Sequence, residues 1–193
     1  MGDSQKTKGS LKLAHILDQL GWDLEGWQCS DFGCNVGGFT RELLERQADK
    51  VHAIDTGYGA LAWDLRNDPK VVVMERTNAL HVDHLPPQDL VVCDLAWTRQ
   101  SLVLPAAIKT LRPGGWVVSL LKPQYEIEKR PKGRKDFILE PSECASVSNR
   151  VIEEIGEAFG KDISLYESPI RGGKTRKGNT EYWIVIKKSE PEK

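Results

Sequence analysis

No stretch of this 193-residue chain approaches the roughly 18 consecutive apolar residues of a membrane-spanning helix, so no such helix is expected. The start, MGDSQKTKGS, is polar and lacks the apolar core of a secretory signal. Gly2 follows Met1, but Lys6 stands where myristoylation requires Ser or Thr. Cysteine is scarce: Cys29, Cys34, Cys93 and Cys144 form no C-x-x-C pair, which removes zinc and dithiol motifs and leaves buried, reduced thiols as the expectation. Gly (17) and Pro (10) are too few for a low-complexity or collagen-like chain. No internal repeat is visible. An excess of one charge is also missing. Lys and Arg number 27 against 28 Asp and Glu, which excludes a uniformly basic nucleic-acid binder.

Mapped along the chain, that balance breaks. Residues 1–121 carry 12 basic and 15 acidic side chains, residues 122–193 carry 15 and 13. Two short stretches hold no acid at all. One contains Lys129, Arg130, Lys132, Arg134 and Lys135; the other contains Arg171, Lys174, Arg176 and Lys177. Basic loops with Gly and Pro grip phosphates; a solvated charged surface is the competing reading.

The length fits one domain, with residues 9–188 as its core and flexible ends at 1–8 and 189–193. Leu13, Ile16, Leu17 and Leu20 recur at helical spacing, so a helix is predicted over Leu11–Leu20, capped by Ser10 and ended by Gly21. Strands are predicted at Trp27–Phe32, Val51–Asp55, Val71–Glu75, Leu90–Asp94, Trp116–Leu121, Ile163–Glu167 and Tyr182–Lys187. Helices are predicted near Phe39–Gln47, Ala60–Arg66, Leu102–Leu111 and Ser146–Phe159. Runs such as Val71-Val72-Val73-Met74 and Leu90-Val91-Val92-Cys93 suit strands covered on both faces. The alternation predicts an α/β fold: a doubly wound, mostly parallel, seven-stranded Rossmann-like sheet with helices on both faces.

The first strand runs into Asp31-Phe32-Gly33-Cys34-Asn35-Val36-Gly37-Gly38-Phe39-Thr40. Glycines at a strand-to-helix turn let backbone approach a ligand. The spacing is not the G-x-G-x-x-G that cradles a pyrophosphate. It suits a ligand without one, such as S-adenosylmethionine, with Asp31 serving its ammonium side. Asp55, at the end of the second strand, is placed to accept from ribose hydroxyls. Asn78, after the third, carries an amide that can read an adenine edge. The candidate cofactor residues are Asp31, Gly33, Asn35, Gly37, Gly38, Phe39, Asp55, Asn78 and Asp94. His81 and His84 have H-x-x-H spacing with no further ligand set, so no metal is expected.

Three more segments end apolar strands in polar groups: Cys93-Asp94, Leu121-Lys122-Pro123-Gln124-Tyr125-Glu126, and Gly178-Asn179-Thr180-Glu181. With the glycine loop and Asp55-Thr56-Gly57-Tyr58-Gly59 through Leu61-Ala62-Trp63, they resemble the FtsJ-type RNA 2′-O-ribose methyltransferases, above all the TlyA (haemolysin A-like) branch. Ser168-Pro169-Ile170-Arg171-Gly172-Gly173 fits that branch's C-terminal motif, and the resemblance runs from about Gly9 to Ile186. It implies an S-adenosylmethionine-dependent enzyme of the cytoplasm acting on a ribose 2′-hydroxyl of RNA, with ribosomal RNA or a ribosomal subunit as partner and neither DNA nor membrane. It also implies a Lys–Asp–Lys–Glu tetrad, which falls on Lys12, Asp94, Lys122 and Glu181. Two departures stand out. The glycine loop holds Cys34-Asn35-Val36 where the family usually has small residues. The branch usually carries an N-terminal S4-type RNA-binding domain, which the position of Lys12 leads one not to expect here.

The tetrad has a chemical logic. The transferred methyl is already activated by its sulfonium, so alignment and a less protonated hydroxyl are what the protein must supply. Free Lys titrates near 10.4, too high for a base at neutral pH. Lys12 beside Lys122 is expected to lower the Lys122 pKa, helped by desolvation, with Asp94 and Glu181 orienting the two amines and limiting the shift, making Lys122 the base or the cation that stabilises an alkoxide. Trp97 and Tyr125 near the same edge either stack on a splayed base or simply pack. Two other readings stay open: a methyltransferase acting on a small molecule or protein, and a non-catalytic module that binds cofactor or RNA.

Overall fold

A computed structural model describes residues 6–127, 138–159, 162–173 and 178–190. Its centre is one seven-stranded sheet. In chain order the strands are β1 (Gln28–Phe32), β2 (Lys50–Ile54), β3 (Val71–Met74), β4 (Gln88–Cys93), β5 (Leu111–Leu121), β6 (Ile163–Glu167) and β7 (Tyr182–Lys187). Their order across the sheet is β3-β2-β1-β4-β5-β7-β6. The pairs from β3 to β5 are parallel, and β7 runs antiparallel to both its neighbours. This is the doubly wound, mostly parallel sheet the alternation predicts.

The apolar runs explain why both faces are covered. Successive side chains of a strand point to opposite faces. In β5, Val117 and Leu121 join one core with Val103, Leu104, Val151 and Ile155. Those partners lie on α4 (Gln100–Thr110) and α6 (Pro141–Phe159). Val118 and Leu120 face the other core, built on Leu13, Ile16, Leu17, Phe39 and Leu43. Those belong to α1 (Lys8–Leu20) and α2 (Gly38–Glu45). Two one-turn helices, α3 (Trp63–Arg66) and α5 (Pro123–Glu126), follow β2 and β5.

Helix α1 begins a turn earlier than the apolar spacing predicts. Thr7, not Ser10, is its cap, accepting the Ser10 N–H at 3.1 Å. Ser10 is buried and donates its hydroxyl to Glu42 at 3.3 Å. Arg46 completes the clamp, donating to Glu42 at 2.9 Å and to the Ala14 carbonyl at 3.1 Å. α1 is therefore fixed against α2 by polar bonds as well as apolar contact, and this fastening positions Lys12. Gly21 ends the helix as predicted, at φ 67°. Strand β5 begins earlier than Trp116 because the Arg112–Gly115 segment extends its edge after a register irregularity opposite Gln88.

Candidate active site

Strand register brings the site together. Phe32 pairs with Cys93, so the next residues, Gly33 and Asp94, leave the sheet side by side. The Asp94 N–H closes the gap on the Phe32 carbonyl at 3.0 Å. Gly33 has φ 90°, and a Cβ there would meet the Asp94 carbonyl oxygen at 2.8 Å, so only glycine fits. Leu121 pairs with Tyr182 in antiparallel register, which sets Lys122 and Glu181 together just beyond the same edge.

Four predicted catalytic groups meet there as two ion pairs. Lys122 Nζ contacts Asp94 Oδ1, and Lys12 Nζ contacts Glu181 Oε2. The second pair is nearly sealed from solvent, at 8% and 3% side-chain exposure. The pairs also feel each other. Burial lowers the Lys122 pKa, but the Asp94 and Glu181 carboxylates outweigh it and hold the ammonium above the ordinary lysine value. The expected depression by Lys12 is thus overturned: the acids, not the second lysine, dominate its surroundings. Burial raises the Glu181 pKa, opposed by both lysines.

Two clefts open onto this edge and share Gly33, Asn35 and Asp94. The larger, about 460 Å³, is also lined by Asp55, Asn78 and Trp97. The smaller, about 270 Å³, is lined by Thr7, Lys8, Gly38 and Phe39. Asp55 is held in place, accepting the Asn35 N–H at 2.9 Å and the Gly57 N–H at 2.7 Å. The Asn78 carbonyl caps a short turn by accepting the Leu80 N–H at 3.0 Å, which fixes its amide at the cleft wall.

Asp31 and Gly37 line neither cleft. Gly37 caps α2 at φ 92°. Asp31 is fully buried beneath the loop, where Oδ2 accepts the backbone N–H and hydroxyl of Thr40 at 2.9 and 2.7 Å. Burial pushes its carboxyl up to about 7, against the pull of those bonds. Direct service to a ligand ammonium, as expected, is not what its position offers; it pins the start of α2. Its Oδ1 is buried without a hydrogen bond.

These residues fit S-adenosylmethionine. Among the described residues, the larger cleft is lined by two carboxylates and no cation, which suits a nucleoside without phosphates. The shared loop joins it to a second chamber suited to an amino-acid end.

Trp97 and Tyr125 pack on each other with ring centroids 4.9 Å apart, while Trp97 keeps 55% exposure. Of the predicted RNA-binding residues, Arg171 is exposed. Lys129, Arg130, Lys132, Arg134, Lys135, Lys174, Arg176 and Lys177 lie outside the described residues. Sequence reasoning missed Lys8, whose ammonium donates to the Gly173 carbonyl at 2.6 Å and faces Lys12 and Glu181. Its signal was the i,i+4 spacing to Lys12, which puts both on one helix face. Among the described residues no cluster suits a metal ion, and no helix is long and apolar enough to cross a membrane.

Comparison with known proteins identifies the family. A family model described as FtsJ-like methyltransferase matches residues 5–188. The 16S/23S rRNA (cytidine-2′-O)-methyltransferase TlyA of Mycobacterium tuberculosis is 37% identical over 94% of this chain and 68% of its own. The 23S rRNA (cytidine-2′-O)-methyltransferase TlyA of Campylobacter jejuni is 28% identical over 95% and 71%. A solved structure from Streptococcus thermophilus that carries the name hemolysin superposes with a TM-score of 0.81 at 30% identity, covering 98% of this chain and 69% of that one. The chain belongs to the FtsJ-like methyltransferase family, with S-adenosylmethionine as its methyl donor.

Proposed function

We propose that the protein methylates a ribose 2′-hydroxyl of ribosomal RNA in the cytoplasm, with Lys12, Asp94, Lys122 and Glu181 as its reacting-centre residues. The observation that carries this reading is the meeting of the Lys122–Asp94 and Lys12–Glu181 pairs beside two clefts that Asp94 lines. The relatives named as rRNA (cytidine-2′-O)-methyltransferases support the choice of RNA.

S-adenosylmethionine supplies a methyl group already activated by positive sulfur. The protein's contribution is therefore alignment and charge. Asp94, lining both clefts, holds the Lys122 ammonium at their junction. Lys122, kept charged by two acids, stabilises the negative charge that builds on the ribose oxygen as that oxygen takes the methyl group from sulfur and gives its proton to solvent water. Lys12 neutralises Glu181, so the second carboxylate steadies the site without repelling that oxygen. Gly33, Asn35, Asp55 and Asn78 hold the nucleoside part of the donor, and Gly38 and Phe39 flank its amino-acid end. Trp97 presents an aromatic face to a base turned out of its stack. Arg171 and the two cationic stretches contact phosphates.

The test is incubation with methyl-labelled S-adenosylmethionine and ribosomal subunits, free ribosomal RNA or tRNA. Nuclease digestion that yields a labelled 2′-O-methylnucleoside is the expected result. Label confined to protein or small molecules would reverse the reading.

A further inference from the structure

Glu126 stands outside the four-residue site, yet it is 94% buried, at 6% exposure. A carboxylate is rarely buried without a partner. Its Oε1 accepts the backbone N–H of Gln100 at 2.8 Å. Gln100 opens α4, and the helix's own cap residue, Arg99, provides no side-chain bond. Glu126 thus caps α4 from across the chain.

The same junction is tied on every side. Gln100 donates its amide to the Leu120 carbonyl at 3.2 Å and accepts the Ser119 hydroxyl at 2.8 Å. Gln100 and Ser119 are both buried. From α6, Arg150 donates to the Glu126 carbonyl at 3.0 Å. Arg99 reaches the Ile127 carbonyl at 3.4 Å.

From this junction the chain leads to both members of one ion pair. Going back from Gln100 along the loop reaches Asp94; going back from Glu126 along α5 reaches Lys122. The loop is under tension, since Trp97 sits at φ 62°, a left-handed backbone that a bulky residue holds only when its surroundings enforce it. Loop and turn therefore form a ring closed at one end by Gln100–Glu126 and at the other by Lys122–Asp94.

We propose that Glu126 is a positioning residue: its bond to the Gln100 N–H locks the Asp94 loop to α5 and so holds Lys122 against Asp94. The proposal rests on the reading of that pair as part of the transfer site.

Glu126→Ala and Glu126→Gln, made in the full chain, test it. Displacing an aligned group by about 1 Å can lose about 100-fold in rate. Glu126→Ala is expected to lower kcat at least about tenfold while KM for S-adenosylmethionine stays within about twofold. Glu126→Gln keeps an acceptor for the Gln100 N–H and is expected to restore kcat to within about threefold of wild type. A second readout needs no RNA: NMR titration of isotope-labelled lysines, with Lys122 assigned through Lys122→Arg. Its ammonium should titrate lower in Glu126→Ala and unchanged in Glu126→Gln. Unchanged kcat and Lys122 titration in Glu126→Ala would overturn the proposal, as would a Glu126→Gln variant as impaired as Glu126→Ala. If Glu126→Ala does not fold, Glu126→Asp, which keeps the charge and withdraws the acceptor, takes its place with the same expectations. A wild-type chain that methylates no RNA would sink the transfer reading, and the Lys122 titration would still decide the role of Glu126.

Discussion

Gly172 lies so close to Glu181 that its backbone leaves no room for a Cβ beside the glutamate Oε1. The carboxylate cannot swing aside cheaply, because it is buried and paired with Lys12. Gly172→Ala should therefore push Glu181 out of register with its lysine. The expected result is a loss in kcat of about 10- to 100-fold with cofactor affinity retained, since Gly172 lines neither cleft. Calorimetric binding of S-adenosylmethionine beside a rate assay checks this, and a wild-type rate would contradict it.

Lys122 and Asp94 form one pair but should fail differently. Asp94 lines both clefts, whereas Lys122 lines neither. Lys122→Met is expected to abolish transfer while leaving cofactor affinity within about twofold; Asp94→Ala is expected to weaken both. The raised Lys122 pKa also has a stability signature. Its contribution is complete below the ordinary lysine value of 10.5 and is lost as pH rises through the higher folded value. Urea melts of wild type and Lys122→Met should converge in that alkaline range. A gap that widens there would exclude the pair as the source.

Asp31 produces the opposite dependence. Its folded pKa of about 7 lies above the ordinary 3.8, so the folded chain binds the extra proton between those values. Stability of the ligand-free protein should fall as pH rises through that window and level off on either side. Asp31→Asn, uncharged throughout, should flatten this slope. Melting temperatures across pH 4 to 8 read it directly, and an unchanged slope in the variant would refute the assignment.

Arg171 is the exposed cation on the described part of the second basic stretch. If it meets a phosphate, Arg171→Ala weakens RNA binding evenly across sequences and reduces the salt slope by about one. Fluorescence anisotropy at several salt concentrations measures both. An unaltered slope would place Arg171 off the RNA path.

How much of this was legible in the sequence differs by element. β6 and β7 agree with their predicted bounds, because apolar residues, interrupted by Ser164 in β6 and continuous from Tyr182 to Ile186 in β7, are rich in β-branched and aromatic side chains that favour strands. α1 was short by a turn because Thr7, Lys8 and Gly9 carry no apolar signal; the Thr7 cap starts the helix there. Within the site, four residues far apart in the chain were named and do converge, because Asp94, Lys122 and Glu181 each end or flank a strand at one sheet edge and α1 lays Lys12 against Glu181. Their electrostatics were not legible. Lys122 was expected to fall below its ordinary value with the acids only limiting the shift, but Asp94 and Glu181 outweigh burial and hold it above that value. Asp31 was misjudged for a related reason: position at a strand end does not tell whether a side chain faces the cleft or the space beneath the loop.

The Lys12–Glu181 contact spans 169 residues of chain, joining the first helix to the threshold of the last strand. Contacts of such separation must overcome the loop-closure entropy of nearly everything between them. The Asp55 wall of the larger cleft, by contrast, is drawn from segments that follow β1 to β4. A break in the chain beyond β5 would therefore leave that wall on one piece and part Lys12 from Glu181.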